Sequence, residues 1–234
     1  MSMSDTLRVV PTPMRRQVEE GLRSAIVSGR FLPGEHLSDR VLCELTGASR
    51  SVVREAVRLL EAEGLVTVQP NRGPFVAHLS VEEASQIYEL RSVLEALAGE
   101  GFALRATDEE RRALREVFEE LARCGPDTER ETLLAIKQRF YGGLLKGARN
   151  AYVARMLEQL MNRNMQLRAM SLSDPGRLPW TIKEIRRVVE AIERRDPNEA
   201  FIACREHVQR AADVALRILR AQRDIPLSGP SGSD

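Results

Sequence analysis

Cysteine is sparse. Cys43, Cys124 and Cys204 are odd in number and form no CxxC pair, which fits a reduced, cytoplasmic compartment rather than a disulfide framework. No apolar run approaches the ~18 to 20 residues of a membrane span, and the opening MSMSDTLRVVPTP lacks the apolar core of a signal peptide. An excess of one charge sign is missing too. The net charge is +1 over 234 residues, so any surface for nucleic acid must be local. Lysine is nearly absent, with three against 32 arginines, a bias that genomic base composition explains as readily as function. There is no P-loop, no HExxH, no GxSxG and no GxGxxG opening a helix, which argues against an enzyme.

What is present is a change of pattern along the chain. Thr12 and Pro13 open a first helix as cap and first helical residue, and Val18, Leu22, Ala25 and Ile26 repeat at helical spacing. LPG at 32–34 makes a turn. Ser38 caps a second short helix with Val41, Leu42 and Leu45 inward, TGAS breaks it, and Ser49 caps a third. Residues 65–68 and 75–77 then suit two strands about a PNRG turn. From Ser80, which forms a capping box with Glu83, the periodicity is helical throughout, with spans at 81–105, 107–124, 127–146, 150–171, 178–195 and 197–222. The fold class is mostly α: an N-terminal winged helix-turn-helix (10–78), an all-helical antiparallel bundle (80–222) and a disordered Pro/Gly/Ser tail (223–234).

On the third helix Val53, Ala56, Val57 and Leu60 share one side, and Arg50, Arg54 and Arg58 form a stripe beside it. A helix packed through one face and basic along another suits the DNA major groove, where arginine makes two-point contacts with guanine and pairs with phosphate. The hairpin supplies a wing with Asn71, Arg72 and Gly73 at its tip, the glycine allowing close backbone approach to the sugar–phosphate surface.

GRFLPGEHL (29–37), SRSVVREA (49–56) and LEAEGLV (60–66) together resemble the DNA-binding domain of GntR-family bacterial transcription regulators. ELRSVLEALAGEGFA (89–103) and VVEAIERRDPNEAFIACREHV (188–208) resemble the FCD effector domain of the FadR subfamily. The resemblance implies that Arg40, Ser49, Arg50, Ser51, Arg54 and Gly73 hold operator DNA, with Arg72 beside them at the wing tip. Arg58 is added by the helical wheel alone and is expected to be a phosphate contact or a surface salt bridge. It further implies a homodimer on a palindromic operator, with a small molecule in the bundle shifting the spacing of the two heads. No room is left for the aminotransferase-like domain of another branch of that family.

Polar residues interrupt the apolar stripes of the bundle at Arg91, Lys137, Tyr141 and His207. Many FCD domains bind a divalent metal there. Alignment puts Lys137, Tyr141 and Ile185 at three ligand positions and leaves only His207 of the expected type, so no metal and no cofactor is expected. Arg91 and Lys137 are instead expected to neutralise a small anionic metabolite such as a carboxylate, oriented by Tyr141 and His207. Plainer readings stay open: Arg91 pairs with Glu95, His207 is a satisfied core residue, and Lys137 snorkels to solvent. Asn162 and Asn164 are further candidates to reach the pocket. A helical domain that has lost its ligand site, in an effector-independent DNA-binding and dimerisation protein, is the competing functional reading.

Overall fold

Helix α1 (Met14–Val27) buries Val18, Leu22 and Ile26, one residue per turn, against the Val53, Ala56, Val57 and Leu60 face of α3 (Arg50–Ala62). Each such side chain contributes about 1.5–3 kcal/mol when fully buried. A computed structural model of the chain describes residues 14–223, save the side chains of 161–165 and 222–223. The expected cap and start at Thr12 and Pro13, and the tail from 224, lie outside the described residues.

Between α1 and α3, α2 (Asp39–Thr46) ends at Gly47, whose positive φ of 66° lets its N–H bond the Cys43 carbonyl. Of the three apolar residues expected inward on α2, only Leu42 is buried; Val41 is 37% and Leu45 50% exposed. An eight-residue helix lying across a small core presents one turn's worth of side chain to it. Ser38 and Ser49 occupy the N-cap positions of α2 and α3 in extended backbone, but neither side chain bonds a helix N–H. Strands β1 (Val66–Gln69) and β2 (Gly73–Val76) pair antiparallel, Val66 opposite Val76 and Gln69 opposite Gly73. The turn between them needs positive φ at Asn71 (61°) and Gly73 (86°). His36 adds a bridge to Phe75, and the Leu37 N–H donates to the Pro74 carbonyl at 2.8 Å.

The chain divides between His78 and Leu79 into two compact units. The second is helical throughout its described residues: α4 (Val81–Arg105), α5 (Asp108–Ala122), α6 (Arg130–Gly147), α7 (Ala151–Gln159), α8 (Met161–Leu172), α9 (Arg177–Glu193) and α10 (Pro197–Arg223). Ser80 accepts from the Glu83 N–H, and Thr107 with Glu110 forms a reciprocal capping box. α4 runs along α10, and the two backbones come close at Gly99, where a Cβ would stand 2.5 Å from Cys204 Sγ. Buried Arg111 donates to the carbonyls of Ala103, Ala106 and Ile192, satisfying the C-terminal ends of α4 and α9. Phe102, Phe118, Phe140, Leu144, Ile185 and Val188 fill the core. The sequence pattern predicts one helix over 150–171; the structure has two, broken at Leu160 (φ −90°, ψ 0°). α6 begins at Arg130 rather than 127.

Candidate DNA interface and effector cavity

Arg50, Ser51, Arg54 and Arg58 are exposed on α3. Arg54 Nε donates to Asp39 Oδ2 on α2 at 2.8 Å. One side of that guanidinium is thereby fixed, leaving its Nη edge for a two-point contact. The Ser49 and Ser51 hydroxyls bond each other at 3.0 Å. Arg40 is exposed and pairs with Glu44 at 3.3 Å. Arg72 lies over the Phe75 ring, 5.3 Å from its centroid, which stiffens the wing tip. A cleft of about 470 Å³ brings Arg54, Arg58, Asp39 and Gly73 together. Arg40, Ser49, Arg50, Ser51 and Arg72 stand outside that cleft. Asp39 is the residue that helix-by-helix reading misses, since its partner lies on another element.

In the helical unit Arg91 and Lys137 are 1% and 3% exposed. Arg91 Nε donates to Glu95 Oε1 at 2.9 Å, as the plainer reading has it. Lys137 does not snorkel: the residue is buried, and no hydrogen bond or ion pair joins it to another described residue. Burial, then Arg168, Arg177 and Arg91 nearby, pull its pKa down to about 7. His207 shares Nδ1 with Glu184 at 2.7 Å, and Glu184 takes both nitrogens of Arg177 at 2.8 and 2.6 Å. Burial holds His207 neutral at neutral pH, down at about 4 against the pull of Glu184, so Nδ1 is the donor. Burial alone would raise Glu184, but hydrogen bonds from His207 and Arg177 outweigh it and hold its pKa at about 2. Tyr141 stacks on His207 with ring centroids 6.5 Å apart, and Arg168 lies over the Tyr141 ring at 3.9 Å.

All four expected pocket residues are thus buried, with Glu95, Arg177 and Glu184 buried beside them and Arg168 partly buried. Arg168, Arg177 and Glu184 escaped the stripe analysis. Glu184 carried a signal, lying one turn before Val188 and two before Ile192 on the buried side of α9. Unmet polar atoms remain: Arg91 Nη1, Arg168 Nε, Arg177 Nε, Tyr141 OH and Glu95 Oε2 have no partner among the described residues. The expected roles of Asn162 and Asn164 fall on side chains outside the described residues.

The donors at the family's metal positions do not fit a divalent cation. Lys137 is itself cationic, Ile185 has no donor, His207 has one nitrogen taken by Glu184, and three arginines stand close by. Among the described residues no group of three or more His, Cys, Asp or Glu comes together to hold a metal. Two cavities flank the cluster. An open groove of about 870 Å³ is lined by Arg177, Glu184 and Arg210, and a smaller cavity of about 170 Å³ by Glu95, Tyr141 and Arg168. No helix of the described residues is long and apolar enough to cross a membrane.

Two family models match the chain: "Bacterial regulatory proteins, gntR family" over residues 14–76 and "FCD domain" over 86–210. The chain is 29% identical over 199 residues to the uncharacterized HTH-type transcriptional regulator YdhC of Bacillus subtilis, covering 85% of this chain and 87% of that one. It is 29% identical over 203 residues to a probable D-xylose utilization operon transcriptional repressor of Paenarthrobacter nicotinovorans, covering 86% and 88%. Its fold matches E. coli McbR/YncC with a TM-score of 0.73 at 22% identity, over 92% of this chain and all of that one. The two sequence relatives are transcription regulators rather than enzymes. The chain belongs to the gntR family of bacterial regulatory proteins, as a transcription regulator that joins a winged helix-turn-helix to an FCD domain.

Proposed function

We propose that this regulator binds a palindromic operator as a homodimer, and that a small anionic metabolite in the helical unit sets its DNA affinity. The DNA-binding domain spans 10–78 and the effector and dimerisation domain 80–222. Arg50, Arg54 and Arg40 carry the principal DNA contacts, the Ser49 and Ser51 hydroxyls meet phosphate, and Arg72 and Gly73 bring the wing to the minor groove. The exposure of α3's basic stripe and the free edge of Arg54 support this reading.

One observation carries the anionic effector. Buried Arg91 and Arg177, partly buried Arg168 and, when protonated, buried Lys137 face two carboxylates, Glu95 and Glu184, and several arginine donors are unmet. An uncompensated buried charge is costly, so a ligand that supplies the missing negative charge binds favourably. Lys137 and Arg91 neutralise it, while Tyr141 and His207 border it.

The test combines operator selection with ligand screening. Genomic fragments retained by the full chain define the operator, and its two-fold symmetry and a dimer in sedimentation are expected. A panel of organic acids should raise the Tm of the wild type and change its gel-shift affinity, and Lys137→Ala should lose the response. Equal stabilisation of both proteins removes Lys137 from the site.

A further inference from the structure

His36 is exposed, yet it is held in place. It lies in the segment leading into α2 and bridges Phe75 of β2, and the Leu37 N–H beside it donates to the Pro74 carbonyl at 2.8 Å. Its ring tilts over the Phe75 ring with centroids 4.9 Å apart. Phe75 is only partly buried and stands outside the core cluster of its unit. Its ring carries His36 and, 5.3 Å from the centroid, the Arg72 guanidinium.

The imidazole is turned toward the wing. A Cβ at Gly73 would stand 3.1 Å from His36 Nε2 and 3.9 Å from its Cδ2, so the ring presents its nitrogen edge to the hairpin tip. Among the described residues neither ring nitrogen has a hydrogen-bond partner. Ser38 holds the N-cap position of α2, but its hydroxyl bonds no helix N–H. Three parts of the chain line the cleft of about 470 Å³: α3 with Arg54 and Arg58, the wing with Gly73, and the approach to α2 with His36, Ser38 and Asp39.

In B-DNA a major groove and the minor groove beside it are separated by one sugar–phosphate strand. A domain that lays α3 in the major groove and its wing in the minor groove therefore brings that strand to the cleft between them. The one carboxylate of the lining, Asp39, is answered by Arg54 at 2.8 Å. Arg58, His36 and Ser38 are left to offer donors to phosphate oxygens.

We infer that His36 is a DNA contact: its Nε2–H donates to a phosphate oxygen of the strand that runs between recognition helix and wing, and Phe75 is the positioning residue that holds the ring. The contact fixes where the wing sits rather than which base is read. The inference rests on the DNA contacts proposed above and adds a residue that stands on neither the recognition helix nor the wing.

The full chain is titrated in gel shift at fixed salt with a short duplex cut from the tightest fragment of the operator selection. The titration is repeated on copies of that duplex that carry one uncharged methylphosphonate at each position in turn. His36→Ala should bind the unmodified duplex roughly tenfold more weakly, the worth of a hydrogen bond to a charged group, with little change in Tm. The wild type should lose affinity when the phosphate between its major-groove and minor-groove contacts is neutralised, and His36→Ala should be insensitive at that phosphate alone. Phe75→Leu keeps the imidazole and removes its support, so its sensitivity there should shrink while that elsewhere holds; an undiminished sensitivity overturns the positioning role. An imidazole that only packs the wing would leave His36→Ala with the wild-type pattern at every phosphate. That result overturns the inference, and so does wild-type affinity in His36→Ala; weaker binding of the same duplex by Arg54→Ala shows in either case that the proposed DNA interface stands. If the wild type retains no duplex, that interface falls and this inference falls with it.

Discussion

Arg54 is held on one side by Asp39, fifteen residues earlier, and free on the other. Arg54→Ala should weaken operator binding by roughly 1–3 kcal/mol in a gel-shift titration at fixed salt if the Nη edge reads a guanine. Asp39→Ala should cost less affinity but more discrimination between the operator and a single-base mismatch, because the fork loses its brace. Arg58→Ala should lower the salt slope by about 1 without changing sequence preference. Lys137 makes a separate prediction. Its folded pKa of about 7 lies below the ~10.4 of an unfolded lysine, so between those values the unfolded chain binds more protons. Stability should therefore rise with pH from about 7 to about 10, and Lys137→Met should flatten that rise in chemical denaturation. An anion beside Lys137 raises its pKa, so ligand affinity should fall as pH climbs above about 7, by at most about tenfold per unit. The basic stripe on α3 was legible because helical spacing alone displays it. Asp39 and Arg168 were not, since their partners come from other elements and one arginine among 32 stands out little.

Helix boundaries follow local chemistry where that chemistry is made. Thr107 and Glu110 form the expected kind of capping pair, and Thr107→Ala should cost about 1 kcal/mol in denaturation. Ser49 sits at a cap position without capping, its hydroxyl turned to Ser51. Ser49→Ala should therefore leave stability within about 0.5 kcal/mol while weakening DNA binding, a contrast that separates a DNA contact from a structural serine. The break at Leu160 was illegible because no glycine or proline marks it and the apolar pattern runs through it. The outward turn of Val41 and Leu45 was illegible for the opposite reason. Periodicity places residues on a face, but only the surrounding helices decide how wide a face is covered.

For the whole molecule, the sequence changes at residues 78 to 80 from hairpin to helical periodicity, and the structure divides into two compact units between His78 and Leu79. The assembled regulator should protect two half-sites about 34 Å apart in footprinting, the spacing of one turn of DNA; protection of a single half-site at saturation would contradict the dimer. The close passage of α4 and α10 reaches beyond packing. A Cβ at position 99 would meet Cys204 Sγ at 2.5 Å and the Ala200 carbonyl at 3.0 Å. Position 99 follows Glu95 by one helical turn, and position 204 precedes His207 by nearly one. A lineage that gains a methyl group at 99 must give up bulk at 204, and even then ease the two helices apart by a few tenths of an ångström at the Ala200 carbonyl, or else push them further apart beneath its own sensor. Drift at these two sites is therefore coupled, and relatives that respond to different metabolites should differ here in pairs.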